Sequence, residues 1–162
     1  MTGRRQVAVS GGGADPPQDA LAAAEEVGRL LAEAEIRVVC GGLGGVMEAA
    51  ARGAAAVGGE VLGILPGADP ADANPYCTHV VATGIGHARN LAVVASADAV
   101  IAIGGEWGTL SEIAFARRLG RPVVALRTWS LRGIGAMEEA PGIEAAPDPA
   151  AAVAAVQRAT GR

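Results

Sequence analysis

Ala99-Val-Ile-Ala-Ile-Gly-Gly-Glu-Trp-Gly-Thr-Leu-Ser-Glu112 passes from an apolar run, through a glycine turn, straight into a helical pattern. Ala99 to Ile103 has the uninterrupted, β-branched character of a strand covered on both faces. Gly104, Gly105 and Gly108 permit backbone angles closed to other residues. The pattern predicts Thr109 as the cap of the following helix, with Ser111 and Glu112 in its first turn. A helix start exposes unpaired N–H groups and the positive end of the helix dipole. Glycines ahead of it let an oxyanion reach the backbone, so this turn is a candidate phosphate site. A plain strand-to-helix connection is the other reading of the same residues.

The same unit recurs along the chain. Gln6–Ser10 reads as a first strand ending at Gly11–Gly13. A helix is expected from about Pro17 to Ala34, with Leu21, Ala24, Val27, Leu30, Leu31 and Ala34 on one face and Glu25, Glu26, Arg29 and Glu33 on the other. Arg37–Cys40 is a second strand broken by Gly41–Gly45, and a helix follows from Val46 to Val57. Glu60–Leu65 and His79–Ala82 are strands on either side of a proline-containing surface loop. Gly84-Ile-Gly86 leads into a helix carrying His87, Arg89 and Asn90. Beyond the opening stretch, Val123–Leu126 is a strand, Arg127 to Glu139 a loop with room for one helical turn, and Ile143–Ala145 an edge strand. Asp148-Pro149 starts a last helix, with aspartate as cap and proline in the first turn.

Regular alternation of strand and helix predicts one α/β domain over residues 1–162, a doubly wound, mostly parallel sheet with helices on both faces. The four glycine turns all fall at carboxyl ends of strands, on the rim where such sheets bind ligands.

Composition removes several functions. Half the residues are apolar, yet no run approaches the length of a membrane span. The apolar stretch before Gly11 is too short for a signal peptide, so a cytoplasmic protein is expected. A mildly negative chain without a basic run argues against nucleic acid as a partner. All thirteen basic residues are arginine, which excludes a lysine Schiff base to pyridoxal phosphate and a Walker lysine. Cys40 and Cys77 lie far apart without metal-ligand spacing, and His79 and His87 pair with no such pattern; neither a metal nor a resident cofactor is predicted. Cys40, at a strand end, reads as a small core residue.

A dinucleotide fits the rim poorly. Gly13 is followed by Ala-Asp-Pro-Pro, and the second strand ends at Cys40 in place of an acidic residue. A phosphate, a mononucleotide or another compact oxyanion suits the short loops better. Arg89 and Glu112 are the pair that could carry chemistry: a clamp for phosphate or ribose, and a carboxylate to support an oxocarbenium-like charge or activate water. A surface arginine and a dipole-favoured surface glutamate is the competing reading. Glu48 and His87 could face the same rim or solvent.

Gly41-Gly-Leu-Gly-Gly-Val-Met-Glu-Ala-Ala-Ala-Arg-Gly-Ala54, Arg89 and Gly104-Gly-Glu-Trp-Gly-Thr-Leu-Ser-Glu112 resemble the LOG family over about Val7 to Leu126. These Rossmann-like proteins were long mislabelled lysine decarboxylases, and enzymes among them cleave the N-glycosidic bond of nucleoside 5′-monophosphates. The interval from Arg89 to Glu112 matches the family's arginine-to-glutamate interval. The resemblance implies Arg89 and Glu112 as catalytic residues. It implies Gly42, Gly44, Gly45, Gly105, Gly108 and Thr109 as phosphate- or nucleotide-binding positions, and a homodimer or larger homo-oligomer as the assembly. Three departures stand out: Gly104 replaces the motif's proline, Glu106 replaces its second glycine, and Asn90 replaces the usual lysine. They are similar to a smaller branch that includes the molybdenum-cofactor carrier proteins. The implied function is nucleotide binding with phosphoribohydrolase activity, or carriage of a nucleotide or phosphorylated cofactor without turnover.

Overall fold

A computed structural model describes residues 3–131 and 142–161. Seven parallel strands form one sheet in the order β4-β3-β2-β1-β5-β6-β7. The strands are β1 (Gln6–Gly11), β2 (Arg37–Cys40), β3 (Val61–Leu65), β4 (His79–Ala82), β5 (Ala99–Ile103), β6 (Val123–Leu126) and β7 (Ile143–Ala145). The helices are α1 (Gln18–Glu33), α2 (Val46–Ala56), α3 (Arg89–Ala95), α4 (Trp107–Arg118) and α5 (Pro149–Thr160). The sheet is therefore entirely parallel, with the expected β7 as its edge strand. The expected loop from Arg127 to Glu139 is irregular through Leu131, and its remainder lies outside the described residues.

Alternation along each strand divides the core into two layers. Val7 and Val9 of β1, with Ala99, Ile101 and Ile103 of β5, pack toward α1, α2 and α5. Ala8, Val100 and Ala102 point the other way, toward Val93 and Val94 of α3 and Ile113 and Ala116 of α4. Both layers exclude water, which is why β5 is buried at every position and reads as a continuous apolar run. The aliphatic, alanine-rich composition permits very close helix packing: a Cβ on Gly28 of α1 would lie 1.9 Å from the Ala50 carbonyl oxygen of α2, and one on Gly53 would lie 1.9 Å from that of Glu25.

The strand order reverses direction between β1 and β5. Successive connections run outward to β4 on one side and outward to β7 on the other. The loops leaving β1 and β5 consequently diverge and leave a crevice above their carboxyl ends. Among the described residues, no helix is long and apolar enough to cross a membrane.

Two local expectations are corrected. Thr109 is the third residue of α4, and Glu106 holds the cap position with no side-chain cap bond. Glu112 falls in the second turn of α4, because the helix starts three residues earlier than a Thr109 cap requires. The Asp148 cap is present: its carboxylate accepts from the Ala151 amide at 2.8 Å, with Pro149 opening the helix.

Candidate functional site

A cavity of about 320 Å³ occupies the β1/β5 crevice. Val9 to Gly13 from the end of β1, Gly41 after β2, Met47 of α2, His87, Arg89 and Asn90 around the start of α3, and Glu106 to Thr109 with Glu112 from α4 line it. Arg89, Thr109 and Glu112 are 8%, 2% and 7% exposed. The surface readings of Arg89 and Glu112 are thus excluded. Each opens a helix or lies within one that packs on the sheet, and each projects to the strand ends.

Arg89 rests on Gly41. A Cβ there would lie 1.9 Å from Arg89 Nη1 and 2.6 Å from Met47 Sδ, so only glycine leaves room for the guanidinium. Burial draws Arg89 below its ordinary pKa, opposed by the charges of Glu112 and Cys40. Among the described residues, its Nε is buried with no hydrogen-bond partner, and so is the Thr109 hydroxyl. An unsatisfied buried donor costs about 1–3 kcal/mol, more when charged. Both residues line the same cavity, which suits the site to an acceptor-rich anion. Gly105, at φ +135°, folds the preceding turn over Thr109, where a Cβ would meet the threonine Cβ at 2.9 Å.

Glu112 accepts a hydrogen bond from Ser10 Oγ, which comes from the end of β1. Burial pushes its carboxyl up from 4.5 to about 7, while the Ser10 hydroxyl and the Arg89 charge hold it back. Near neutral pH this group can both give and take a proton. Sequence reading missed Ser10. Its signal was a hydroxyl closing an otherwise apolar strand, directly before the first glycine turn.

The structure separates the expected phosphate-binding residues. Gly108 and Thr109 line the cavity with Arg89 and Glu112; Gly105 lies behind Thr109. Gly42, Gly44 and Gly45 do not line it. The α2 start is already closed by β1: the Val46 amide donates to the Gly12 carbonyl at 3.0 Å, and Gly45 abuts that same carbonyl. Gly42 instead anchors the loop after β3 by accepting from the Asn74 amide at 2.8 Å. Gly84 to Gly86 and Glu48 also stand outside the cavity lining, whereas His87 reaches it.

Asn90, the departure beside Arg89, ties α3 to α4. Its Nδ2 donates to Ser111 Oγ at 3.0 Å, and Ser111 donates to the Gly108 carbonyl at 2.7 Å. Glu106, the departure in the glycine turn, lies along the cavity wall, its Oε1 3.1 Å from where a Gly12 Cβ would stand. Trp107 beside it is 76% exposed and stacks at 5.3 Å on Trp129. Cys40 is a buried core residue as expected, and the Cys77 thiol and full burial hold its own thiol well above the usual range. The tertiary structure brings Cys77 close: its Sγ would lie 2.7 Å from a Cβ on Gly63, the register partner of Cys40.

The chain belongs to the SLOG cluster4 family, whose sequence profile matches residues 4–156. An uncharacterized protein of Archaeoglobus fulgidus is 43% identical over 122 residues, covering 75% of this chain and 80% of the relative. Among solved structures, the molybdenum cofactor binding protein from Rippkaea orientalis superposes with a TM-score of 0.87 at 27% identity, covering 98% of each chain. The molybdenum cofactor carrier protein from Chlamydomonas reinhardtii superposes with a TM-score of 0.84 at 28% identity, covering 99% of this chain and all of the other. The LOG-like, Rossmann-type fold near the carrier branch is therefore shown for this chain.

Proposed function

We propose that this protein binds a phosphorylated organic ligand in the β1/β5 cavity and serves as a carrier for a phosphorylated pterin cofactor of the molybdenum-cofactor kind. The observation that carries this reading is a pair of buried donors without a partner among the described residues, Arg89 Nε and Thr109 Oγ1, in two residues that line one glycine-rich cavity. A phosphate bound there accepts from both and from the free amides at the start of α4. The likeness to two molybdenum-cofactor-binding proteins over nearly the whole chain supports the choice of cargo. Glu112 then acts as a proton reservoir. A phosphate dianion nearby raises its pKa further, so the carboxyl takes up a proton and the repulsion disappears.

A second reading, hydrolysis of a nucleoside 5′-monophosphate, draws on Glu112 itself. A buried carboxylate hydrogen-bonded to Ser10 and facing Arg89 could support a ribosyl cation and its capture by water. One set of measurements separates the two. The purified protein is titrated with inorganic phosphate, nucleoside monophosphates and molybdenum cofactor, following thermal stability, while free base is assayed in parallel. Stabilisation by molybdenum cofactor without base release supports the carrier. Base release that disappears in Glu112→Ala supports the hydrolase. Absence of stabilisation by any phosphorylated ligand sinks both.

A further inference from the structure

Glu106 and Trp107 line the cavity, and the phosphate reading leaves both unused. A carboxylate in a phosphate cradle repels its ligand, and an exposed indole on a water-facing lip exposes apolar surface at a cost. Both features make sense together if they address a different part of the ligand. Trp107 is the first residue of α4 and Thr109 the third, and both line the one cavity. The indole does not hang loosely. Trp129 stacks on it with an interplanar angle of 36°, and the Trp129 ring N–H donates to the Glu106 carbonyl at 3.2 Å. One residue thus braces both the aromatic face and the backbone that carries the carboxylate. Gly12, with no side chain, leaves the space in which that carboxylate lies.

Resting on the phosphate-binding reading, we propose that Trp107 and Glu106 form a ring-recognition subsite for a 2-amino-4-oxo-pyrimidine edge, the one shared by pterins and guanine. A planar ring linked to the bound phosphate stacks on the Trp107 face. Its adjacent ring N–H and exocyclic NH₂ donate to the two carboxylate oxygens of Glu106, a paired arrangement that acceptor-only carboxylate chemistry requires. Adenine presents a ring acceptor beside its amino group on that edge, and a carboxylate repels it. Glu106 is then a specificity residue, and its place in the glycine turn is explained by the ring and not by the phosphate.

Calorimetric titration of wild type, Trp107→Ala, Trp107→Phe and Glu106→Gln with ribose 5-phosphate, AMP, GMP and 6-hydroxymethylpterin phosphate tests this. Wild type should prefer GMP to AMP by about tenfold, and Glu106→Gln should bring that ratio close to one. Trp107→Ala should weaken GMP and the pterin by about tenfold, with Trp107→Phe restoring most of it, while ribose 5-phosphate is unaffected by either Trp107 substitution. Tighter binding of the pterin phosphate than of GMP assigns the ring to a pterin; the reverse order assigns it to a guanine nucleotide. The proposal is overturned if Glu106→Gln leaves the GMP to AMP ratio intact, or if Trp107→Ala weakens ribose 5-phosphate as much as GMP. Failure of wild type to bind ribose 5-phosphate, GMP or the pterin removes the phosphate reading and this subsite with it.

Discussion

Replacing Glu112 with glutamine should change the pH dependence of stability in a specific direction. In the folded protein burial raises the carboxyl from 4.5 to about 7, against the Ser10 hydrogen bond and the Arg89 charge. Between those two values the folded state keeps the Glu112 proton while the unfolded chain has lost it. The folded state then binds more protons, so this group's contribution makes stability fall as pH rises through the window and level off above it. Each pH unit of displacement is worth about 1.4 kcal/mol, so the full effect is about 3 kcal/mol, a large part of the margin that holds a domain folded. An amide cannot ionise, and its oxygen can still accept from Ser10. Urea denaturation of both proteins from about pH 4 to about pH 8 gives the difference in stability at each pH, in which other titrating groups largely cancel. Glu112→Gln should gain about 3 kcal/mol relative to wild type across that range, with the change concentrated between pH 4.5 and 7. A difference that stays constant with pH would refute the reasoning, because Glu112 would then titrate as an ordinary carboxyl.

Thr109→Val replaces a buried, unpartnered hydroxyl with a methyl of the same shape, so stability should hold or rise while phosphate affinity falls about tenfold by calorimetry. Equal losses in both would mean the hydroxyl has a structural partner. Gly28→Ala places a Cβ 1.9 Å from the Ala50 carbonyl oxygen. Forcing α1 and α2 apart should destabilise by about 2 kcal/mol despite the helix propensity gained, and a stabilised variant in urea titration would contradict that packing. Asp148→Ala removes the carboxylate that accepts from the Ala151 amide at 2.8 Å and should cost about 1 kcal/mol, with Asp148→Asn retaining most of the stability.

The architecture was legible because it depends on local periodicity. Strand runs alternate with amphipathic stretches, and glycine turns interrupt them at each strand end. Parallel strands joined by helices have few topological solutions, so a sheet covered by helices on both faces followed from the pattern. The opening stretch in particular could hardly be other than a central strand, since all five residues of β5 need cover on both faces. Local pattern also placed the Asp148 cap. It misplaced the α4 cap, since a threonine three residues into a helix looks the same in sequence as one that starts it.

The site was legible only in part. Arg89 and Glu112 stood out by their charge and place on the rim and then by resemblance, but their burial depends on where α3 and α4 meet the sheet. Spacing along the chain does not encode that. Ser10 reaches Glu112 across more than half the chain because β1 and β5 are hydrogen-bonded neighbours. The glycine turn after β2 matched the family motif, yet the Gly12 carbonyl occupies the first amide of α2, and Gly42, Gly44 and Gly45 stand outside the cavity lining. The sequence by itself determined which segments are strands and helices and which strand ends carry glycine, because those follow from side-chain periodicity and backbone freedom. The tertiary structure decided which of those turns stays open, which carboxylate loses its water and which donors are left without partners. These are properties of contacts between distant residues, and they are what single out one part of the glycine-rich rim as the candidate site.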